Sequence, residues 1–149
     1  MRIGIRNGFT LTEVMATVAI VGVLSAIAIP SYIDYVSQAN RADVKNVLLE
    51  DVQWLERNYT VSNSYNKDSQ STDITVSSLP GQQSPKPPAT ALYNISLPTA
   101  SLTASTYTLT ATPVQGGRME HDACGAFSIN QYGAKTVSGT KTPAECWGK

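Results

Sequence analysis

Glu13 is the first residue whose placement asks for a chemical reason. It lies within residues 9 to 29, FTLTEVMATVAIVGVLSAIAI, a stretch with no other charge. An ionised carboxylate at bilayer depth costs about 2.5 to 3.5 kcal/mol, so acids at such positions are normally found with a partner. Two readings follow from physics alone. Either Glu13 meets a cation, or it lies near enough to the helix start to reach the headgroups, where the helix dipole favours an anion.

The other chemically capable residues cluster near the C-terminus. His121 is the only histidine and sits between Glu120 and Asp122 in GGRMEHDAC. A metal centre or a general base needs several groups converging, whereas neighbours on a strand or loop point in different directions, so this is read as a solvated loop. Phosphate-binding glycine loops, metal-spaced Cys/His sets and nucleophile elbows are missing from the sequence, and neither catalysis, a metal nor a cofactor is expected. Cys124 and Cys146 are the only cysteines. An even pair beyond an export signal suggests one disulfide, worth about 3 kcal/mol through loop closure; two buried thiols are the alternative. Arg118, Lys135, Lys141 and Lys149, with Tyr132 and Trp147, form a thin cationic footprint opposed by Glu120, Asp122 and Glu145. DNA is therefore a second, weaker candidate partner.

The elements that must position these groups begin with the apolar run. Residues 9 to 29 make a helix of about 30 Å, the thickness of a hydrocarbon core. Arg2 and Arg6 precede the run and the next cation is Arg41, so the N-terminus is expected in the cytoplasm and the remainder outside it. Ala26 and Ala28 weakly imitate a secretory cleavage site, but the helical pattern continues past Tyr32, which favours retention. Pro30 lacks an amide hydrogen and crowds the carbonyl of Ala26, so a kink, loosening or bend is expected there, with Gly22 as a second weak point.

Beyond the run, Val36, Val44, Val47, Leu48, Val52, Leu55 and Tyr59 recur mostly three or four apart. They predict an amphipathic continuation of one helix from about Phe9 to about Tyr59, with Arg41, Asp43, Lys45, Glu50, Asp51, Glu56 and Arg57 on its other faces. Residues 60 to 90 turn to Ser, Thr, Gln and Pro and read as a loop, in which Ile74, Val76 and Leu79 could dock a short element while SPKPP is expected to be extended and unable to continue a sheet. Three alternating segments then predict strands: Tyr93, Ile95, Leu97; Tyr107, Leu109, Ala111; Phe127, Ile129. Asn58 and Asn94 head triplets of the N-glycosylation pattern, which is common by chance. A chain of 149 residues with 11 basic and 11 acidic side chains fits one head domain, and its charge balance does not resemble that of a polyanion binder.

The stretch NGFTLTEV, followed by the apolar run and Pro30, closely resembles the leader of type IV pilins. It matches at Gly8, Phe9, Thr10, Leu11, Glu13 and Pro30, with Thr12 at the family's usual Ile position. The resemblance implies a leader over residues 1–8, cut by a prepilin peptidase between Gly8 and Phe9, with N-methylation of Phe9. It implies a membrane and assembly helix over residues 9–30 and a head over residues 31–149. Within the head it implies an amphipathic helix over 31–60, an αβ-loop over 61–91, and a sheet with a disulfide-closed D-region, Cys124 to Cys146, over 92–149. The expected fold is the α+β pilin fold: a long helix, half transmembrane and half amphipathic, on an antiparallel sheet of three or four strands.

In that family the acid at Glu13 meets the N-terminal amine of a neighbouring subunit during assembly, and the segment between Gly22 and Pro30 stretches in the filament. YTLTATP, DACGAFSINQYGAKTVSG, AECW and LLEDVQWLERNYT resemble the PilE-like minor pilins of proteobacterial type IV pili. The implied partners are other pilins in a helical filament, the peptidase, the inner-membrane assembly machinery and, before assembly, the membrane itself. The implied location is the inner membrane, single-pass, and then the extracellular pilus. A major pilin, a DNA-binding tip pilin and a type II secretion pseudopilin are the alternatives. Major pseudopilins usually carry calcium where this chain has its cysteine pair.

Overall fold

The computed structural model describes residues 9–148, so Arg2, Arg6, Gly8 and Lys149 lie outside the described residues. The chain divides into two compact units, one ending at Val36 and the other beginning at Ser37.

Helix α1 (Leu11–Ser62) contributes to both. It starts two residues later and ends three residues beyond the expected limits, and it runs through Pro30. Its stop has a local cause. Asn63 adopts a left-handed φ of 52° and its amide donates to the Tyr59 carbonyl at 2.8 Å, an ending that asparagine tolerates better than most residues. In the first unit the large apolar side chains from Phe9 to Ile33 are exposed, and the helix is long and apolar enough to cross a membrane.

In the second unit a five-stranded antiparallel meander runs in the order β1 (Gln83–Ser84), β2 (Tyr93–Ser96), β3 (Thr108–Pro113), β4 (Phe127–Asn130) and β5 (Lys135–Val137). The expected three or four strands are thus corrected to five. The additional one, β1, pairs Gln83 with Asn94 and Ser84 with Tyr93. Two residues cannot display an alternation, and they lie in a segment whose composition reads as loop. A 3-10 turn, Val76–Ser78, and the buried Ile74 and Leu79 occupy the middle of that loop.

Val44, Val47, Leu48 and Leu55 of α1 form one apolar core with Tyr93, Ile95, Tyr107, Leu109, Ala111, Phe127 and Ile129 from the sheet side. Full burial of each Val, Leu, Ile and Phe side chain among them contributes about 1.5 to 3 kcal/mol. One charge departs from its expected face. Asp51 is fully buried rather than on a solvent-facing side, because position 51 continues the inward series 44, 47, 48, 51, 55.

Helix α2 (Pro143–Trp147) closes the chain and packs on β5. Its N-cap Thr142 accepts from the Glu145 amide at 3.3 Å, while Glu145 Oε2 accepts from the Thr142 amide at 2.8 Å and from its hydroxyl at 2.6 Å. This reciprocal capping box, with Pro143 at the first helical position, fixes a helix too short to be stable on its own.

Candidate functional site

The first unit presents Glu13 at the start of α1. The Thr10 carbonyl takes the first helical bond, from the Val14 amide at 3.2 Å, which makes Thr10 the N-cap. Its hydroxyl accepts from the Glu13 amide at 3.3 Å. Glu13 Oε2 reaches back to the Thr10 amide at 2.8 Å and to the Thr10 hydroxyl at 2.7 Å. Glu13 therefore closes a capping box and is held at the helix mouth beside an exposed Phe9. This is the helix-start placement that the sequence left open beside a cation partner, and the spacing Thr10-x-x-Glu13 is its sequence signal. Gly22 and Pro30 both lie within α1, and no side chain packs near Gly22.

In the second unit the disulfide joins Cys124 to Cys146, with Cα atoms 5.8 Å apart. Two cations of α1, one helical turn apart, hold the two ends of this loop. Arg41 Nε donates to both oxygens of Asp122 at 3.1 Å, and Asp122 Oδ2 accepts the Cys124 amide at 3.0 Å. Lys45 Nζ donates to the Trp147 carbonyl at 3.3 Å, next to Cys146. The Trp147 ring meets Phe127 edge-on at 5.5 Å, and Lys135 Nζ stands 5.3 Å from its centroid. Gly125, with φ of 62°, lets the loop turn where an added Cβ would stand 2.6 Å from Ser138 Oγ.

Gln38, Arg41, Lys45, Lys141, Glu145, Cys146 and Gly148 line a groove of about 380 Å³ beside the disulfide. Of the four cations singled out in the sequence, Lys141 lines this groove and Lys135 covers Trp147. Sequence reasoning missed Arg41 and Lys45, which join the loop only through contacts 81 and 102 residues distant. Tyr132 is exposed at the β4–β5 turn, where Asn130 Oδ1 accepts the Tyr132 and Ala134 amides, each at 3.0 Å. His121 is 94% exposed with Glu120 Oε2 4.0 Å away. No group of three or more His, Cys, Asp or Glu side chains able to hold a metal occurs among the described residues. Asn58 spends its amide nitrogen on the Ser64 and Lys67 carbonyls, each at 2.9 Å, while Asn94 is exposed on β2.

A bare apolar helical segment continuing into an antiparallel head whose C-terminal loop is closed by a disulfide defines the type IV pilin class. The crystal structure of the non-core minor pilin PilV of Neisseria meningitidis shares the fold, with a TM-score of 0.54 and 19% identity, covering 72% of this chain and 92% of that one. Fimbrial protein EcpC of Eikenella corrodens is 44% identical over 43 residues, which is 29% of this chain and 28% of the relative. The type IV major alpha-pilin of Moraxella bovis is 46% identical over 43 residues, or 29% and 27% of the two chains. The chain thus spans little more than a quarter of the length of the curated relatives it matches. Residues 5–29 match the prokaryotic N-terminal methylation motif. Residues 30–128 match the family described as type IV minor pilin ComP, DNA uptake sequence receptor, and the chain belongs to that family.

Proposed function

We propose that the chain is a minor subunit of a type IV pilus, cut between Gly8 and Phe9 by a prepilin peptidase, methylated on Phe9, and packed into a helical filament through its apolar helix. Before assembly it is a single-pass inner-membrane protein with a cytoplasmic N-terminus, and afterwards it lies in the extracellular pilus. Its role is structural rather than enzymatic. The observation that carries this reading is Glu13 fixed at the mouth of an exposed apolar helix.

In a filament core, an unpaired carboxylate costs several kcal/mol, so the amine of a neighbouring Phe9 selects the axial register more than it adds net affinity. Glu13→Ala should leave folding and membrane insertion intact and remove most of the subunit from sheared filaments, as judged by immunoblot. Normal incorporation of that variant would defeat the assembly role. Mass spectrometry of the mature chain should give an N-methylated Phe9 at the terminus, and an intact leader or trimming at Ala26 or Ala28 would defeat the processing.

Family membership favours a second role, contact with DNA. Lys45 and Lys141 line the groove beside the disulfide, Lys135 stands over the Trp147 ring, and Arg41 offsets the Asp122 charge. The full chain in detergent micelles should retard duplex DNA in a gel, with affinity falling steeply as salt rises. Lys141→Ala should weaken binding and lower the logarithmic salt slope by about 1. Absence of any shift at low salt would remove the DNA role while leaving the filament role standing.

A further inference from the structure

Three acids on one side of α1 hold the same short piece of the αβ-loop. Asp43 Oδ2 accepts the Ser84 hydroxyl at 2.5 Å, Glu50 Oε2 pairs with Lys86 Nζ at 2.6 Å, and Asp51 Oδ1 accepts the Gly81 amide at 2.8 Å. The outer two contacts are partly or largely solvated, whereas Asp51 is fully buried and its Oδ2 has no hydrogen-bond partner. Loop and helix approach so closely here that a Cβ at Gly81 would lie 2.4 Å from Val47 Cγ1 and 3.2 Å from Asp51 Oδ1.

We propose that Asp51 is a pH-responsive clasp for the segment Gly81–Lys86, closed while its carboxyl is neutral and loosened when it ionises. A neutral carboxyl left one hydrogen bond short costs far less to bury than an anion in the same place. Burial is the main influence and pushes the carboxyl up to about 7. The Gly81 amide works against that rise, Glu50 on the same helix adds to it, and Lys86 from the loop opposes it. Strand β1, the other element of the segment, offers Gln83 and Ser84, neither of which is ionisable.

The sign follows from linkage. A carboxyl whose value is higher in the closed form than in the open one binds more protons when closed, so closure is strongest in acid and weakens as pH rises toward about 7. Above that the effect levels off, because the group is ionised in both forms. The ionised clasp relieves its buried charge by letting water reach it, and the segment that must move to admit water includes edge strand β1. The inference rests on the fold and not on the pilus or DNA roles.

Amide hydrogen exchange of the full chain in detergent micelles, from pH 5 to 8, tests it. The Gly81 protection factor should fall by up to about tenfold per pH unit between pH 5 and 7 and then flatten, while that of Leu109 in β3 stays constant. Asp51→Asn should abolish the Gly81 trend. In the native chain, the Asp51 carboxyl carbon resonance should titrate with its midpoint at the pH where Gly81 protection stops falling. A Gly81 profile as flat as that of Leu109 overturns the proposal, and so does a carboxyl midpoint away from the pH at which Gly81 protection levels off, or a trend that survives in Asp51→Asn. The first two outcomes need no variant to fold.

Discussion

Arg41 and Asp122, 81 residues apart, form a forked ion pair with both Asp122 oxygens 3.1 Å from Arg41 Nε, and their side chains are 15% and 5% exposed. Because Asp122 also receives the Cys124 amide, this pair ties the entry of the disulfide-closed loop to α1. Arg41→Ala removes the cation and leaves a buried carboxylate, which should destabilise the head by about 3 kcal/mol. Urea unfolding followed by near-ultraviolet circular dichroism measures this, and a midpoint unchanged from the native chain would show that the pair holds nothing.

Gly81 bears on the seam between loop and helix in a different way. Gly81→Ala places a methyl group 2.4 Å from Val47 Cγ1, and Val47, buried and β-branched within α1, has little χ1 freedom to yield. The expected cost is about 1 to 3 kcal/mol, in the range of overpacked cores. Denaturant titration should register it, and pairing the change with Val47→Ala should recover part of the loss.

Helix α2 should respond to acid. The Thr142 hydroxyl, followed by the Thr142 amide, holds the Glu145 carboxyl below its ordinary value, with help from Lys141. A carboxyl depressed in the folded state adds stability that is present at neutral pH and disappears as pH falls through that depressed value. Acidification below the ordinary glutamate range should therefore fray α2 and shift the Trp147 indole resonance before the sheet melts. In Glu145→Ala the indole should already hold its shifted position at neutral pH and show no acid step.

The sequence disclosed what repeats and concealed what is singular. The apolar run and the series Val44, Val47, Leu48, Leu55 declare α1 because a period of 3.6 can be read over many residues. Strands β2, β3 and β4 declare themselves through the buried alternations Tyr93 and Ile95, Leu109 and Ala111, Phe127 and Ile129. Strand β1 has two residues, fewer than one period, and left no trace. Asp51 obeys the helical period but breaks the rule that acids face water, so pattern reading alone assigned it to the wrong side. Its reason is the Gly81 amide thirty residues on, a contact that exists only once the loop has folded back. Arg41 and Lys45 were likewise legible as charges but not as anchors, since their partners come from the far end of the chain.

The two borders of the sheet bear on how copies of this chain can join. On one side, two-residue β1 runs straight into Pro85, Pro87 and Pro88, which offer no amide hydrogens. On the other, β5 is only three residues long and α2 packs on it, with the Trp147 indole nitrogen donating to the Thr136 carbonyl at 3.1 Å. Both rims are short, two and three residues, which gives one molecule's backbone little length to zip onto the next. The proposed joint between copies is then the exposed apolar helix of the first unit, Phe9 to Ile33, rather than a shared sheet.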